Sequence, residues 1–271
     1  MRIWKNTPIL DNFLDPKDLT KHKKKAEVII LGSKPINLSE FPELKGIFRV
    51  GVGLDNVPIN EAKRKNIRVQ STSPKTNKYI FEETADFTCH LILKMMYKNL
   101  GTVEPWTVKI RKKPLQDKSL LVVGLGNIGR KVVSKMQQFM SVKTFDILEN
   151  DLSILYNVLP TVDCVTLHFP LTNENTNFFN KDKLSQMKNG SILINTSRAA
   201  LVSEDALYEE IEKGRLEAAF DVFWEKPYKG KLSEFHPDKF YMTPHVASKS
   251  EAYVENSAKD FKSFASKLEE K

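Results

Sequence analysis

Residues 124–129 read GLGNIG, directly after the apolar run SLLVV (119–123) and at the head of the helical stretch NIGRKVVSKMQQFM. In that setting each glycine of a G-x-G-x-x-G has a mechanical purpose. Gly124 permits the tight turn, Gly126 lets backbone approach a pyrophosphate, and Gly129 lets the helix lie close on the strand. The N–H groups at the helix start then offer an anion site. The next apolar strand ends in Asp146, twenty residues after Gly126. A carboxylate there accepts from both adenosine ribose hydroxyls and repels a 2′-phosphate, which favours NAD over NADP. Asp146 also fits a loop aspartate that caps the segment after it.

Two more residues stand just past apolar runs, where open parallel sheets hold their ligands. Arg198, in SILINTSRAAL, has the fork to grip a carboxylate bidentately and polarise a neighbouring carbonyl. His245, in FYMTPHVAS and fixed by Pro244, is a natural proton donor or acceptor for carbonyl–alcohol interconversion. Taken singly, each also fits a structural role, as a surface arginine or a satisfied core histidine. A third stretch, FDVFWEKPY (220–228), sets aromatics, an acid, a base and a proline beyond another apolar run. It raises the question of which of Glu225 and Lys226 faces the chemistry.

The elements that must position these residues follow from the apolar pattern. Short runs at 27–31, 46–50 and 67–69 read as buried strands, and 56–65 as a helix capped by Asp55 or Asn56 with Pro58 in its first turn. A long helix is expected over 82–100, with Met95 and Met96 as core filler. The polar, basic, proline-containing segment 101–118 marks the domain boundary. Beyond it, strands at 119–123, 142–145, 163–167, 191–195 and 216–220 alternate with helices, notably 127–139 and 204–213. Strands that are apolar throughout are covered on both faces, the mark of a parallel, doubly wound sheet. A last strand near 240–242 precedes an amphipathic helix over 249–268.

Composition narrows the function classes. The 271 residues are 41% apolar and 28% charged, ordinary for a globular protein with one large or two modest cores. No apolar stretch is long enough for a transmembrane helix, and MRIWKNTPIL lacks a signal-peptide core, so a cytoplasmic protein that binds no membrane is expected. The net charge of +8 is concentrated at 21–25, 63–68 and 109–113, but aromatics are not interleaved with the charges, so nucleic acid is not expected as a partner. Cys89 and Cys164 have apolar neighbours and no metal-ligand spacing; they read as buried, reduced thiols, and no metal is expected.

From about residue 26 to about 250 the chain resembles the D-isomer-specific 2-hydroxyacid dehydrogenases, the group that includes D-3-phosphoglycerate dehydrogenase, D-lactate dehydrogenase and hydroxypyruvate reductase. The likeness rests on FRVGVGLDNV, GLGNIGR, LHFPLTNEN, MKNGSILINTSRAALVSEDAL, GRLEAAFDVF and TPHVAS, in that order along the chain. It implies an α/β protein of two domains: a Rossmann-type doubly wound sheet binding NAD over 101–247, and a smaller flavodoxin-like substrate domain over 1–100 with 248–271. It further implies that Arg198 binds the carboxylate and carbonyl oxygen of a small 2-hydroxy or 2-keto acid, with His245 as acid/base. Backbone amides at Val52 and Gly53 would hold the carboxylate, Asp221 would meet the nicotinamide carboxamide, and Asn127 and Ile128 would offer backbone to the pyrophosphate. Pro170 and Ser197 would line the cofactor cleft, and the assembly would be a homodimer.

Three departures qualify the resemblance. The first domain is short, and Gly32 stands where relatives acting on phosphoglycerate tend to carry arginine, with Lys34 nearby as the available substitute. The family usually has a glutamate before the proline of the 220–228 loop, hydrogen-bonded to the catalytic histidine; this chain has Lys226. For Glu225 to supply that carboxylate it would have to swing inward by one position. A cation beside an imidazole disfavours its protonated form, so an NAD(H)-sensing, corepressor-like binding protein with little catalysis is the alternative to a dehydrogenase.

Overall fold

The computed structural model describes residues 1–98, 100–108 and 113–270. The basic run 109–113 therefore lies, Lys113 apart, outside the described residues. The chain divides into two compact units, Met1–Ile80 with Lys249–Lys271, and Phe81–Ser248.

The first unit is built on four parallel strands in chain order: β1 (Ile3–Lys5), β2 (Val28–Leu31), β3 (Gly46–Arg49) and β4 (Arg68–Ser71). Every residue of β2 and β3 is buried, as expected of central strands covered on both faces. On one face Ile29, Leu31 and Ile47 pack with Phe41, Val57 and Ala62, the last on helix α1 (Ile59–Arg64). On the other, Phe48 meets Phe261 and Phe264 of the chain's last helix, Glu251–Glu269, at ring separations of 5.5 and 5.7 Å. That helix comes so near β3 that a Cβ on Gly46 would lie 2.6 Å from Leu268. Helix α1 begins at Ile59 after Pro58, and its N-cap makes no side-chain hydrogen bond, so neither Asp55 nor Asn56 caps it. Asn56 instead donates to the carbonyls of Gly32 and Lys34.

Helix α2 runs over Pro74–Met96, eight residues earlier than the apolar pattern places it. The start signal is Ser73, whose hydroxyl accepts the Thr76 N–H, followed by proline at the first helical position. The unit division falls within α2, between Ile80 and Phe81, rather than near residue 100. The cause is packing: Ala85, Leu91, Ile92 and Met95 share one core with Leu120 and Val122 of the second unit's sheet.

After α2 the second unit carries an exposed hairpin, β5 (Gly101–Thr102) with β6 (Thr107–Val108). Its body is a six-stranded sheet: β7 (Ser119–Val123), β8 (Ser141–Phe145), β9 (Cys164–Leu167), β10 (Ser191–Asn195), β11 (Leu216–Phe220) and β12 (Phe240–Met242). Spatially the order is β12-β11-β10-β9-β7-β8 and every pairing is parallel. Alternate residues of each strand serve opposite cores. Leu120 and Val122 pack with α2 and α3 (Gly129–Met136), while Leu121 and Val123 share a core with α4 (Leu152–Val158), α5 (Lys181–Gln186) and α6 (Glu204–Glu212). The strand order reverses between β7 and β9, the switch point at which such sheets leave a crevice. Among the described residues, no helix is long and apolar enough to cross a membrane.

Candidate active site

Because all six strands run the same way, their carboxyl ends share one edge. Register makes the row explicit: Phe145 pairs with Val123, Val123 with Leu167, Leu167 with Asn195, Asn195 with Phe220, and Phe220 with Met242. Just beyond these ends stand Asp146, Gly124, His168, Arg198, Asp221 and His245. At the usual strand spacing, the β8 and β10 ends are roughly 14 Å apart. One edge therefore carries a glycine turn and an acid at one end, and an arginine, an acid and a histidine at the other.

The glycine turn has the geometry of a phosphate cradle. Gly124 sits at φ +95, where a side chain would strike the His168 carbonyl at 2.7 Å. Gly129 starts α3 so close to the turn that a Cβ would lie 1.9 Å from the Gly124 oxygen. Gly126, by contrast, has open space on its Cβ side, the face a ligand would approach. Asn127 and Ile128 complete the turn, with Ile128 as the N-cap of α3.

Next to the turn lies an open hollow between Val123, Phe145, Ile147, Phe169, Asn175 and Phe178, with Asp146 on its wall. Its lining is largely apolar, suited to a flat aromatic base. The Asp146 carboxylate accepts the N–H of Leu125 at 2.7 Å and of Leu148 at 3.0 Å, one bond per oxygen. Each oxygen keeps a second acceptor site for a ribose hydroxyl. Turn, hollow and acid together fit an adenine dinucleotide. Pro170, exposed, leads the loop beyond β9, where Asn175 donates to its carbonyl and accepts from Thr172 N–H.

At the other end, the turn after β10 is stapled by its own side chains. Asn195, fully buried, accepts the Ser197 N–H and donates to the Arg198 carbonyl. Ser197 donates to the Leu167 carbonyl at 2.6 Å, tying the turn to β9, and Thr196 shares a hydroxyl bond of 2.9 Å with Thr88 of α2. Arg198 is half-buried, and its Nη1 donates to the Ser197 carbonyl.

Asp221 is wholly buried at the end of β11, and its carboxylate holds the turn that carries His245. One oxygen accepts from Thr243 Oγ1 (2.6 Å) and Val246 N–H (2.9 Å), the other from Ala247 N–H (2.9 Å). Burial pushes the Asp221 carboxyl up, against the opposing pull of these donors and the Lys226 charge. His245 itself lies at φ +58, a left-handed conformation sparse for residues with side chains. Its imidazole Nδ1 meets Lys226 Nζ. Glu225 points away to solvent, where it accepts the Lys229 N–H at 3.1 Å. The structure therefore corrects the inward placement of Glu225: the loop delivers the next residue, Lys226, to the histidine. Val52 and Gly53 follow β3 in the first unit, in a loop braced by Arg49, which donates to the Val50 carbonyl and to Asn56.

Sequence reasoning passed over several residues here. Asn195, Thr88 and Thr243 carry no pattern of their own. His168 directly follows β9; its Nε2 bonds Thr166 Oγ1 at 3.0 Å while Nδ1 is buried with no hydrogen-bond partner among the described residues. Burial pushes its imidazole down to about 3, so it is neutral near physiological pH. Both cysteines are free thiols pushed up by burial, Cys89 to about 11, although Cys89 is only half-buried.

The model of the D-isomer specific 2-hydroxyacid dehydrogenase NAD binding domain matches residues 95–247. The hydroxypyruvate reductase of Thermotoga maritima is 31% identical over 261 residues, covering 90% of this chain and 85% of the relative. The glyoxylate reductase of Korarchaeum cryptofilum is 28% identical, over 82% of this chain and 73% of that protein. Among solved structures, D-lactate dehydrogenase from Aquifex aeolicus, complexed with NAD and lactic acid, aligns with a TM-score of 0.79 at 26% identity, across 100% of this chain and 97% of the other. These matches agree with the glycine turn, the acid-lined hollow and the row of strand ends, and the chain belongs to the D-isomer specific 2-hydroxyacid dehydrogenases, with NAD as its cofactor.

Proposed function

We propose that this protein reduces a small, unphosphorylated 2-keto acid to its D-2-hydroxy acid. The observation that carries the reading is the single edge on which Asp146 and the glycine turn stand a few strands from Arg198, Asp221 and His245. Bound NADH would supply the hydride for C2 of the substrate. Asp146 and the backbone around Gly124, Gly126, Asn127, Ile128 and Gly129 hold the dinucleotide, with Pro170 and Ser197 along its path. Arg198 grips the carboxylate and polarises the carbonyl, and Val52 and Gly53 present amides to the same carboxylate. His245 gives the proton to the oxygen. Asp221 holds the turn of His245, and the family resemblance gives it the nicotinamide carboxamide as well. Gly32, in place of an arginine, supports an unphosphorylated substrate. Two substrate-binding and cofactor-binding domains in a cytoplasmic homodimer complete the reading.

The test is NADH absorbance with pyruvate, glyoxylate, hydroxypyruvate and 3-phosphohydroxypyruvate. Turnover is expected on an unphosphorylated member, with losses of about 10²–10⁴-fold in Arg198→Ala and His245→Ala. Tight NADH binding without turnover on any member would instead support an NAD(H)-sensing protein, the reading motivated by Lys226 in place of the family's glutamate.

A further inference from the structure

We infer that Lys226 and His245 act as one proton-storing pair, in which the lysine ammonium supplies the proton that the imidazole hands to the substrate. The inference rests on the dehydrogenase reading above and starts from the contact between Lys226 Nζ and His245 Nδ1.

An ammonium has three donors and no acceptor, so it bonds Nδ1 only if that nitrogen presents its lone pair. The ring is then neutral with its hydrogen on Nε2, ready to donate. The complementary state has a neutral amine accepting from Nδ1–H, with the Nε2 lone pair exposed. The two states differ by one proton, the number that carbonyl reduction consumes. In the forward direction a Lys226 N–H bond breaks and an Nδ1–H bond forms, while the Nε2–H bond breaks and a bond to the carbonyl oxygen forms. The electron pair arrives with the hydride of NADH. Solvent then protonates Nε2 while the Nδ1–H proton passes back to the Lys226 amine, which restores the first tautomer and the ammonium. Lys226 thus acts through His245, as a positioning and proton-supplying residue.

Both halves of the pair are anchored separately, so the contact is preorganised. Asp221 fixes the His245 turn through Thr243, Val246 and Ala247. The Lys226 loop is pinned on either side: Trp224 donates to the Val202 carbonyl at 3.1 Å, and the Tyr228 hydroxyl donates to Glu204 at 2.6 Å. Among the described residues, the charged groups on neighbouring elements include Asp221 at the end of β11, Glu225 turned toward Lys229 N–H, and Arg198 beyond β10. The Lys226 charge favours the ionised form of Asp221, against burial, the larger influence, which pushes that carboxyl up.

The decisive comparison is Lys226→Arg with Lys226→Met. Arginine keeps a cation and a donor but does not surrender its proton near neutral pH. Both variants are expected to bind NADH as the wild type does and to lose at least about tenfold in reduction rate. In mixtures of light and heavy water, the wild-type rate should bow with deuterium content, two protons moving together, and the Lys226→Arg rate should fall linearly. Without cofactor, nitrogen-15 histidine NMR of the wild type should show His245 as the Nε2–H tautomer. Full activity in Lys226→Arg or Lys226→Met would overturn the relay alone. A wild type that binds NADH yet turns over no 2-keto acid would overturn the relay together with the dehydrogenase reading. Should both variants fail to bind NADH, the wild type decides: a linear isotope dependence or an Nδ1–H tautomer overturns the pair.

Discussion

Asp221 shows how one buried side chain sets the geometry of another. Its two oxygens accept three bonds from the turn around His245, and an amide at this position keeps only one acceptor oxygen while facing N–H donors with its own NH₂. Asp221→Asn is expected to cost about 1–3 kcal/mol in stability and to lower activity more than it weakens NADH binding, measured by denaturant melts alongside kinetics. His168 gives a pH prediction. Its folded-state value of about 3 lies below the ordinary 6.5, so the unfolded chain binds the extra proton first. The stabilisation is whole above pH 6.5 and falls away as pH drops toward 3, by about 2 kcal/mol at pH 5. His168→Gln should flatten that slope between pH 6.5 and 5 in urea titrations; an unchanged slope would assign the acid sensitivity elsewhere. Arg198, His245 and Asp146 stood out in the sequence because each follows an apolar run, whereas Asp221 was pointed to only by the family resemblance. Whether Glu225 or Lys226 reaches His245 was left open, because spacing does not fix which way a side chain leaves an irregular loop.

Among the elements, β7 and α3 carry the tightest constraint. The Gly129 position lies against the Gly124 carbonyl, so Gly129→Ala must push the helix off the turn. A loss of about 1–3 kcal/mol from overpacking should accompany weakened NADH affinity, whereas Gly126→Ala, with no protein atom near its Cβ position, should leave stability unchanged and impair only cofactor binding. Calorimetry with and without NADH separates the two. The buried strands were legible as apolar runs, and β7, β10 and β11 fall on the expected residues. Strand β1 was missed because three residues, IWK, hold no period. The first turns of α2 were missed because PKTNKY is polar, although Ser73 and Pro74 carried the start signal.

At the scale of the whole molecule, parallel strand direction brings residues from Gly124 to His245 onto one edge, a juxtaposition that sequence order alone conceals. The same topology separates cofactor choice from chemistry: Asp146 sits at the β8 end, away from Arg198 and His245. Asp146→Ala should lower the preference for NADH over NADPH by about tenfold or more while leaving the pH dependence of turnover in place. The unit division inside α2 was hidden from composition, because the polar segment 101–118 looks like a linker while the packing change occurs earlier, within a continuous helix. The most direct test of the central claim follows the hydride. NADH deuterated at the nicotinamide C4 is incubated with the protein and glyoxylate, pyruvate or hydroxypyruvate, and the product is read by NMR and chiral chromatography. Deuterium at C2, in a D-configured 2-hydroxy acid wherever C2 is a stereocentre, is the predicted result; bound but unconsumed NADH, or an L product, would contradict the account.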